Sequence, residues 1–210
     1  MATVLSSPEQ RIVLRHVSWE TYERLLDERL DSNSPRFTFD EGWLEIMSPS
    51  SEHEELSHII TLLVNALAEE MNIDVRGFGS TTFRRADLKR GFEPDSCFYI
   101  QNVERIRGKK KIDLTVDPPP DLVIEIDITS ESLNKLPIYA KVGVPEIWRY
   151  ESERLVILNL EGDSYVESGE SLALAGVTSA AIFGFIKDTD SLRRPAWLKK
   201  VRAWARSLPS

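Results

Sequence analysis

The chain has 210 residues, 41% of them hydrophobic and 29% charged, a length and mixture that suit one globular domain over residues 1–210. One cysteine excludes an internal disulfide framework and a cysteine-based zinc site, and suits a reducing, cytoplasmic setting. A net charge of −8 argues against a non-specific nucleic-acid coat, and no apolar run is long enough to span a bilayer, so no membrane partner is expected.

The first ten residues (MATVLSSPEQ) show no basic segment leading into an apolar one, so no secretory signal is expected. Residues 18–30 (SWETYERLLDERL) read as a short amphipathic helix capped by Ser18. Residues 36–40 and 43–47 flank Glu41-Gly42 as a hairpin, with Gly42 supplying a positive φ. Ser51 and Glu54 form a capping-box pattern. Leu56, Ile59, Ile60, Leu63, Leu67 and Met71 then recur with helical period.

Short strands are predicted at 73–78, 81–84 and, after a turn at Gly91, 95–100. The strongest strand signal is 121–128 (DLVIEIDI). Its alternation puts Asp121, Val123, Glu125 and Asp127 on one face and Leu122, Ile124, Ile126 and Ile128 on the other. A helix runs to about Lys141. Pro137 is comfortable only in its first turn, which makes Asn134 a better cap than Ser130 and puts Lys135 near the first helical position. Gly143 ends that helix. Strands at 146–150 and 155–160 follow, and the last forty residues read as two helices, the second ending at Trp204. The order describes a mixed α/β fold with a central sheet, a core over 36–160 and a helical extension over 175–208.

The carboxylates carry the chemistry. Glu125 and Asp127 are neighbours on a face that should be buried, and Asp95 opens another strand just after Pro94. Like charges crowded this way are costly unless something positive neutralises them. A divalent cation does so, since hard ions take carboxylate oxygens. The competing reading is a one-sided sheet with solvated or Arg/Lys-paired acids. Lys135 favours the first reading. A cation in a helix's first turn opposes the macrodipole, yet it lies one loop beyond Glu125 and can swing back to the acids. Acids plus one lysine make a Mg²⁺-dependent phosphodiesterase site, the lysine orienting or deprotonating a water and neutralising the phosphate.

Pro94-Asp95, Glu125 and a following lysine resemble the PD-(D/E)XK nuclease superfamily. The surrounding segments RFTFDEGWLEIMSP, the His53 helix, GFEPDSCFYIQN, PPPDLVIEIDITS and KLPIYAKVGVPEIWRY are similar to one branch, the Uma-two-like restriction endonucleases numerous in cyanobacteria. They span about three fifths of the chain, in order.

The resemblance implies a restriction-endonuclease-like core with a four-stranded mixed sheet flanked by helices, an N-terminal hairpin and C-terminal helices. It implies Mg²⁺ or Mn²⁺ held by Asp95, Glu125 and the carbonyl of Ile126, with DNA as substrate. The superfamily lysine two residues after the glutamate is replaced here by Asp127, and its role maps to Lys135 on the next helix. Asp127 then either ligates a second metal or steadies Lys135, and the steadying role is the expectation.

His53 points inward from the first core helix, either as a catalytic group or as a buried, hydrogen-bonded histidine. Arg84, Arg85, Tyr139 and Trp148 read as ordinary surface arginines and core aromatics. The basic stretches 105–111 and 181–210, the latter with seven Lys/Arg against two Asp, read either as phosphate-binding faces or as solvated segments. The expected function is a Mg²⁺-dependent DNA endonuclease acting as a homodimer. The alternative is a non-catalytic nucleic-acid-binding or assembly protein that keeps the fold.

Overall fold

A computed structural model describes residues 9–29, 34–128 and 133–208. Its elements are β1 (Gln10–Leu14), α1 (Trp19–Glu28), β2 (Arg36–Asp40), β3 (Trp43–Ser48), α2 (Ser51–Glu70), β4 (Arg76–Gly77), β5 (Phe83–Arg85), β6 (Arg90–Phe92) and β7 (Ser96–Tyr99). Then come β8 (Leu122–Asp127), α3 (Leu136–Val142), β9 (Glu146–Glu151), β10 (Arg154–Glu161), β11 (Ser164–Ser168), α4 (Ser179–Asp188) and α5 (Arg194–Ala205).

The strands form two sheets. β1-β3-β2-β6-β5 is antiparallel throughout. β11-β10-β9-β8-β7-β4 is mixed, with β8 and β9 as its parallel pair. The crossover that such a pair requires carries α3. The mixed α/β architecture is as expected, but the mixed sheet has six strands where the resemblance implies four, and the predicted hairpin belongs to a second sheet.

Both faces of β8 are covered, which is why its sequence is the strongest strand signal. Leu122, Ile124 and Ile126 pack with Ile60 and Leu63 of α2, Ile182 of α4 and Trp197 of α5. Val123, on the other face, packs with Phe92, Tyr99, Ile138 and Tyr139. A third cluster, around Trp19, Tyr22 and Phe39, holds α1 on the antiparallel sheet. Among the described residues, no helix is long and apolar enough to cross a membrane.

The local differences have physical causes. The α2 cap is Ser50, whose hydroxyl accepts from the His53 N–H at 3.2 Å, one residue before the predicted Ser51. Lys135, in αR conformation, takes the α3 cap position, while Asn134 Oδ1 accepts from the Leu136 N–H at 3.1 Å. Gly91 lies inside β6, opposite Phe39, rather than in a turn, and it is glycine because a Cβ there would overlap the Tyr22 hydroxyl. The predicted strand at 73–78 shrinks to β4, since Ile73 and Val75 pack against the α2 cluster instead of a neighbouring strand. Strands β1, β6 and β11 lie outside the elements that the sequence pattern predicts. Residue 30 of the first predicted helix and Ser130, the weaker cap, lie outside the described residues.

Candidate active site

The β7–β8 ladder runs Phe98↔Leu122, Cys97↔Val123 and Ser96↔Ile124. One step further, the same register sets Asp95 opposite Glu125, with both side chains on one face of the sheet. Asp95 Oδ2 accepts from the Ile126 backbone N–H at 2.6 Å, so a side chain takes over where main-chain pairing ends. Both carboxylates are only 5% exposed.

Helix α3 supplies the partners of Glu125. Pro137 in its first turn needs no N–H donor there, and Gly143, at φ 86°, closes it. From the start of this short helix Lys135 Nζ lies 2.7 Å from Glu125 Oε2. One turn later, on the same face, the Tyr139 hydroxyl donates to Glu125 Oε1. Tyr139, read from sequence as a core aromatic, therefore also touches the candidate site through its hydroxyl. Trp148 is core, with its indole N–H on Glu146.

Other groups converge on Asp95. The buried Arg36 guanidinium donates to Asp95 Oδ1, and to Glu54 Oε1 at 2.6 Å. His53 is fully buried, as its helix position predicts, with Nε2 3.2 Å from Asp95 Oδ2. Neither ring nitrogen has a partner in hydrogen-bond geometry among the described residues, so the contact with Asp95 is one of proximity. Asp127 faces Arg149 at 3.2 Å and Arg11 at 3.5 Å. Glu125, Asp127, Asn134, Lys135 and Arg149 line a cleft of about 280 Å³.

These surroundings split the two acids. Burial pushes Glu125 up, Lys135 pulls it back and the nearby Asp95 pushes it further, leaving it at about 7. Burial would raise Asp95 too, but His53, Lys135 and Arg36 outweigh it and hold that carboxyl below its usual range. Burial disfavours the Lys135 ammonium, yet Glu125, Asp95 and Glu45 more than compensate, so it stays charged.

The donor set suits a hard divalent ion. The side chains are oxygen ligands on one face, and Mg²⁺ is commonly held by one or two carboxylates with water completing its shell. Burial raises Glu125 first and the adjacent Asp95 adds to the rise, so a divalent ion between the two carboxylates would relieve charge that Lys135 offsets only in part. Among the described residues no group of three or more His, Cys, Asp or Glu side chains is placed to cage a metal.

The basic stretches are largely engaged within the protein. Arg107 pairs with Asp74 and Glu104 at 2.5 Å, and Lys109 pairs with Asp117. Arg202 meets Glu69 and Arg206 meets Glu70, each at 2.8 Å. Arg84 and Arg85 face Glu23 and Asp87.

A family model described as "Uma2: Putative restriction endonuclease" matches residues 19–185. The chain belongs to the Uma2 family. The matched span of this Uma2 protein contains His53, Asp95, Glu125, Ile126 and Lys135, while β1 with Arg11 precedes it and α5 follows it. Its fold is similar to that of a crystal structure described as a putative nuclease belonging to DUF820 from Anabaena variabilis ATCC 29413. The TM-score is 0.54, at 14% identity, covering 87% of this chain and 99% of that one. A search of the curated proteins finds no match.

Proposed function

We propose that this Uma2 protein is a Mg²⁺-dependent endonuclease that hydrolyses DNA phosphodiester bonds. The observation that carries the reading is the pairing of Asp95 with Glu125 on one sheet face, with the Lys135 ammonium 2.7 Å from Glu125 at the wall of an open cleft. Asp95 and Glu125 would hold the ion, with the Ile126 carbonyl as a third ligand. When bound, Mg²⁺ or Mn²⁺ supplies Lewis acidity at the scissile phosphate and acidifies water for in-line attack.

The chain's own residues do the rest. Lys135 trades part of its bond to Glu125 for a phosphate oxygen and balances the charge that grows there. A charged ammonium has no lone pair, so Lys135 orients the attacking water, whose proton would pass to solvent in the open cleft as the P–O bond to the leaving strand breaks. Tyr139 keeps Glu125 aimed while the lysine is engaged. Arg36 and His53 fix the carboxylate of Asp95 as positioning residues. Arg149, partly exposed beside Asp127, offers a second cation to the substrate backbone. Cutting both strands of a duplex takes two such sites, supplied by a homodimer, and a cytoplasmic location brings the enzyme to its substrate.

The test is supercoiled plasmid with Mg²⁺ or Mn²⁺, which has no ends and so reports endonuclease action. Wild type should nick it, while EDTA and Glu125→Ala should each abolish nicking. Nicking that survives in Glu125→Ala would overturn the assignment. A second reading, a nucleic-acid-binding or assembly protein without turnover, draws on two observations. Asp127 stands where the superfamily pattern has lysine, and all four oxygens of Asp95 and Glu125 already have protein donors. DNA that is bound but uncut with either ion would favour it.

A further inference from the structure

Strands β1 and β3 pair with Arg11 opposite Met47 and Val13 opposite Glu45. Two residues on, the same register brings Arg15 opposite Trp43, and the Arg15 guanidinium lies 4.4 Å from the centre of the Trp43 ring. Facing residues of an antiparallel ladder share a face, so Arg11, Glu45 and the Arg15–Trp43 pair form one row. The inner end of that row is in the candidate active site. Arg11 reaches Asp127 at 3.5 Å, and Glu45 accepts from the Leu133 N–H, beside the cleft, at 2.7 Å.

The outer end is open. Trp43 is 39% exposed, whereas Trp19, Trp148 and Trp197 are buried in the cores. Arg15 is exposed too, and a recess of about 330 Å³ lies beside the pair, lined also by His16, Glu41 and Gly42. At the rise of a β-strand the pair stands about 7 Å beyond Glu45 along the row. An exposed indole with a stacked guanidinium combines two chemistries, an aromatic face for a base and a cation for a phosphate.

We propose that the Arg15–Trp43 pair is a base-stacking platform for the DNA strand that leaves the active site, and that the enzyme therefore prefers DNA with unpaired bases beside the cut. The inference rests on the nuclease reading and adds the substrate class to it. Bases in a duplex are already stacked on one another, so only unpaired ones offer a face to Trp43. The chain's net charge of −8 leaves little general attraction for a phosphate backbone, which raises the weight of contacts that do not depend on counterion release.

The experiment compares wild type, Trp43→Ala, Trp43→Phe and Arg15→Ala. Fluorescence anisotropy would measure binding of a labelled oligothymidylate and of a blunt duplex of equal length. Mg²⁺-dependent cleavage would be measured on a duplex carrying a single-stranded flap. Wild type should bind the oligothymidylate more tightly than the duplex. Trp43→Ala should weaken oligothymidylate binding about ten-fold or more, with duplex binding little changed, and should raise KM for the flap while kcat holds. Trp43→Phe should keep most of the affinity, because a phenyl ring still stacks, and Arg15→Ala should lose an intermediate amount. Melting curves for each variant separate loss of contact from loss of fold.

Oligothymidylate binding unchanged in a folded Trp43→Ala, with wild type still cutting DNA, would overturn the platform and leave the nuclease standing. Equal losses in Trp43→Ala and Trp43→Phe would overturn it as well. A wild type that neither binds nor cuts any of these DNAs would remove the nuclease reading and this inference together.

Discussion

Glu125 and Glu146 are both buried glutamates on the parallel strand pair β8–β9, yet they are held in opposite ways. Glu146 opposes Leu122 at one end of the ladder, and Glu125 opposes Arg149 three residues later. The Glu146 carboxylate accepts from the backbone N–H groups of Leu172 and Ala173 at 2.6 and 2.8 Å, from Ser171 at 2.7 Å, and from the Trp148 indole. Burial raises its pKa, and these four hydrogen bonds pull the other way. Glu125 has two side-chain donors from one short helix, faces a second carboxylate and opens on a cleft. A carboxylate answered by main-chain donors is part of the scaffold. One answered by an ammonium and a hydroxyl, beside another acid, is held in a form that a ligand can take over.

The comparison is sharpened most by Lys135→Ala. Cleavage should fall by at least about a hundred-fold, while Mg²⁺ still raises the melting temperature, because the lysine serves water and phosphate rather than the ion. Full activity in that variant would move the role elsewhere, Lys141 being the next candidate. Next comes Glu146→Ala, which leaves four donors, three of them buried, without their acceptor and should cost about 4 kcal/mol, roughly 10 °C in melting temperature for a chain of this size. Its cleavage rate per folded molecule should be unchanged; a rate lost without a stability loss would erase the distinction drawn above.

The third effect is a pH dependence. The folded protein binds a proton at Glu125 more readily than the unfolded chain does, since the group moves from 4.5 to about 7. The ion-free protein should therefore lose stability as pH rises between those values, by an amount on the order of 3 kcal/mol. Glu125→Gln should flatten that slope, and Mg²⁺ should restore the stability at pH 7.5 by binding only the folded state. An unchanged Mg²⁺ shift in Glu125→Gln would place the ion elsewhere. The smallest expected change is Tyr139→Phe, worth about 1 kcal/mol of stability and about a ten-fold loss of cleavage, read from melting curves and single-turnover rates.

What could be read in the sequence follows from range. Strand β8 and helix α2 announce themselves through their own periods, and the Glu41-Gly42 turn adopts the two positive φ values, 45° and 100°, of a tight hairpin, the larger of them at the glycine that makes the turn legible. Asp95, Glu125 and Lys135 were legible because each breaks a local preference, as a buried acid or as a cation at a helix start. Arg36 and Tyr139 were not. Arg36 reads as an ordinary strand residue until β2 is placed against Asp95, fifty-nine residues away, and Tyr139 satisfies a core pattern while using only its hydroxyl in the site. A spacing of four from Lys135 was the available signal for Tyr139. Strand β1 escaped because four of its five residues are exposed at a sheet edge, which leaves no alternation to see.

Cys97, the chain's one cysteine, sits two residues from Asp95 on β7. Its side chain has no solvent exposure, its thiol points to the Gly79 carbonyl at 3.6 Å, and burial pushes its pKa up to about 12. Such a thiol is closed to alkylating reagents while β7 stays between β4 and β8. The protein thus carries its own clock. The rate at which one sulfur becomes modifiable reports how often the strand next to the proposed catalytic carboxylates comes out of the sheet, and a ligand bound at those carboxylates would slow the clock without touching the sulfur.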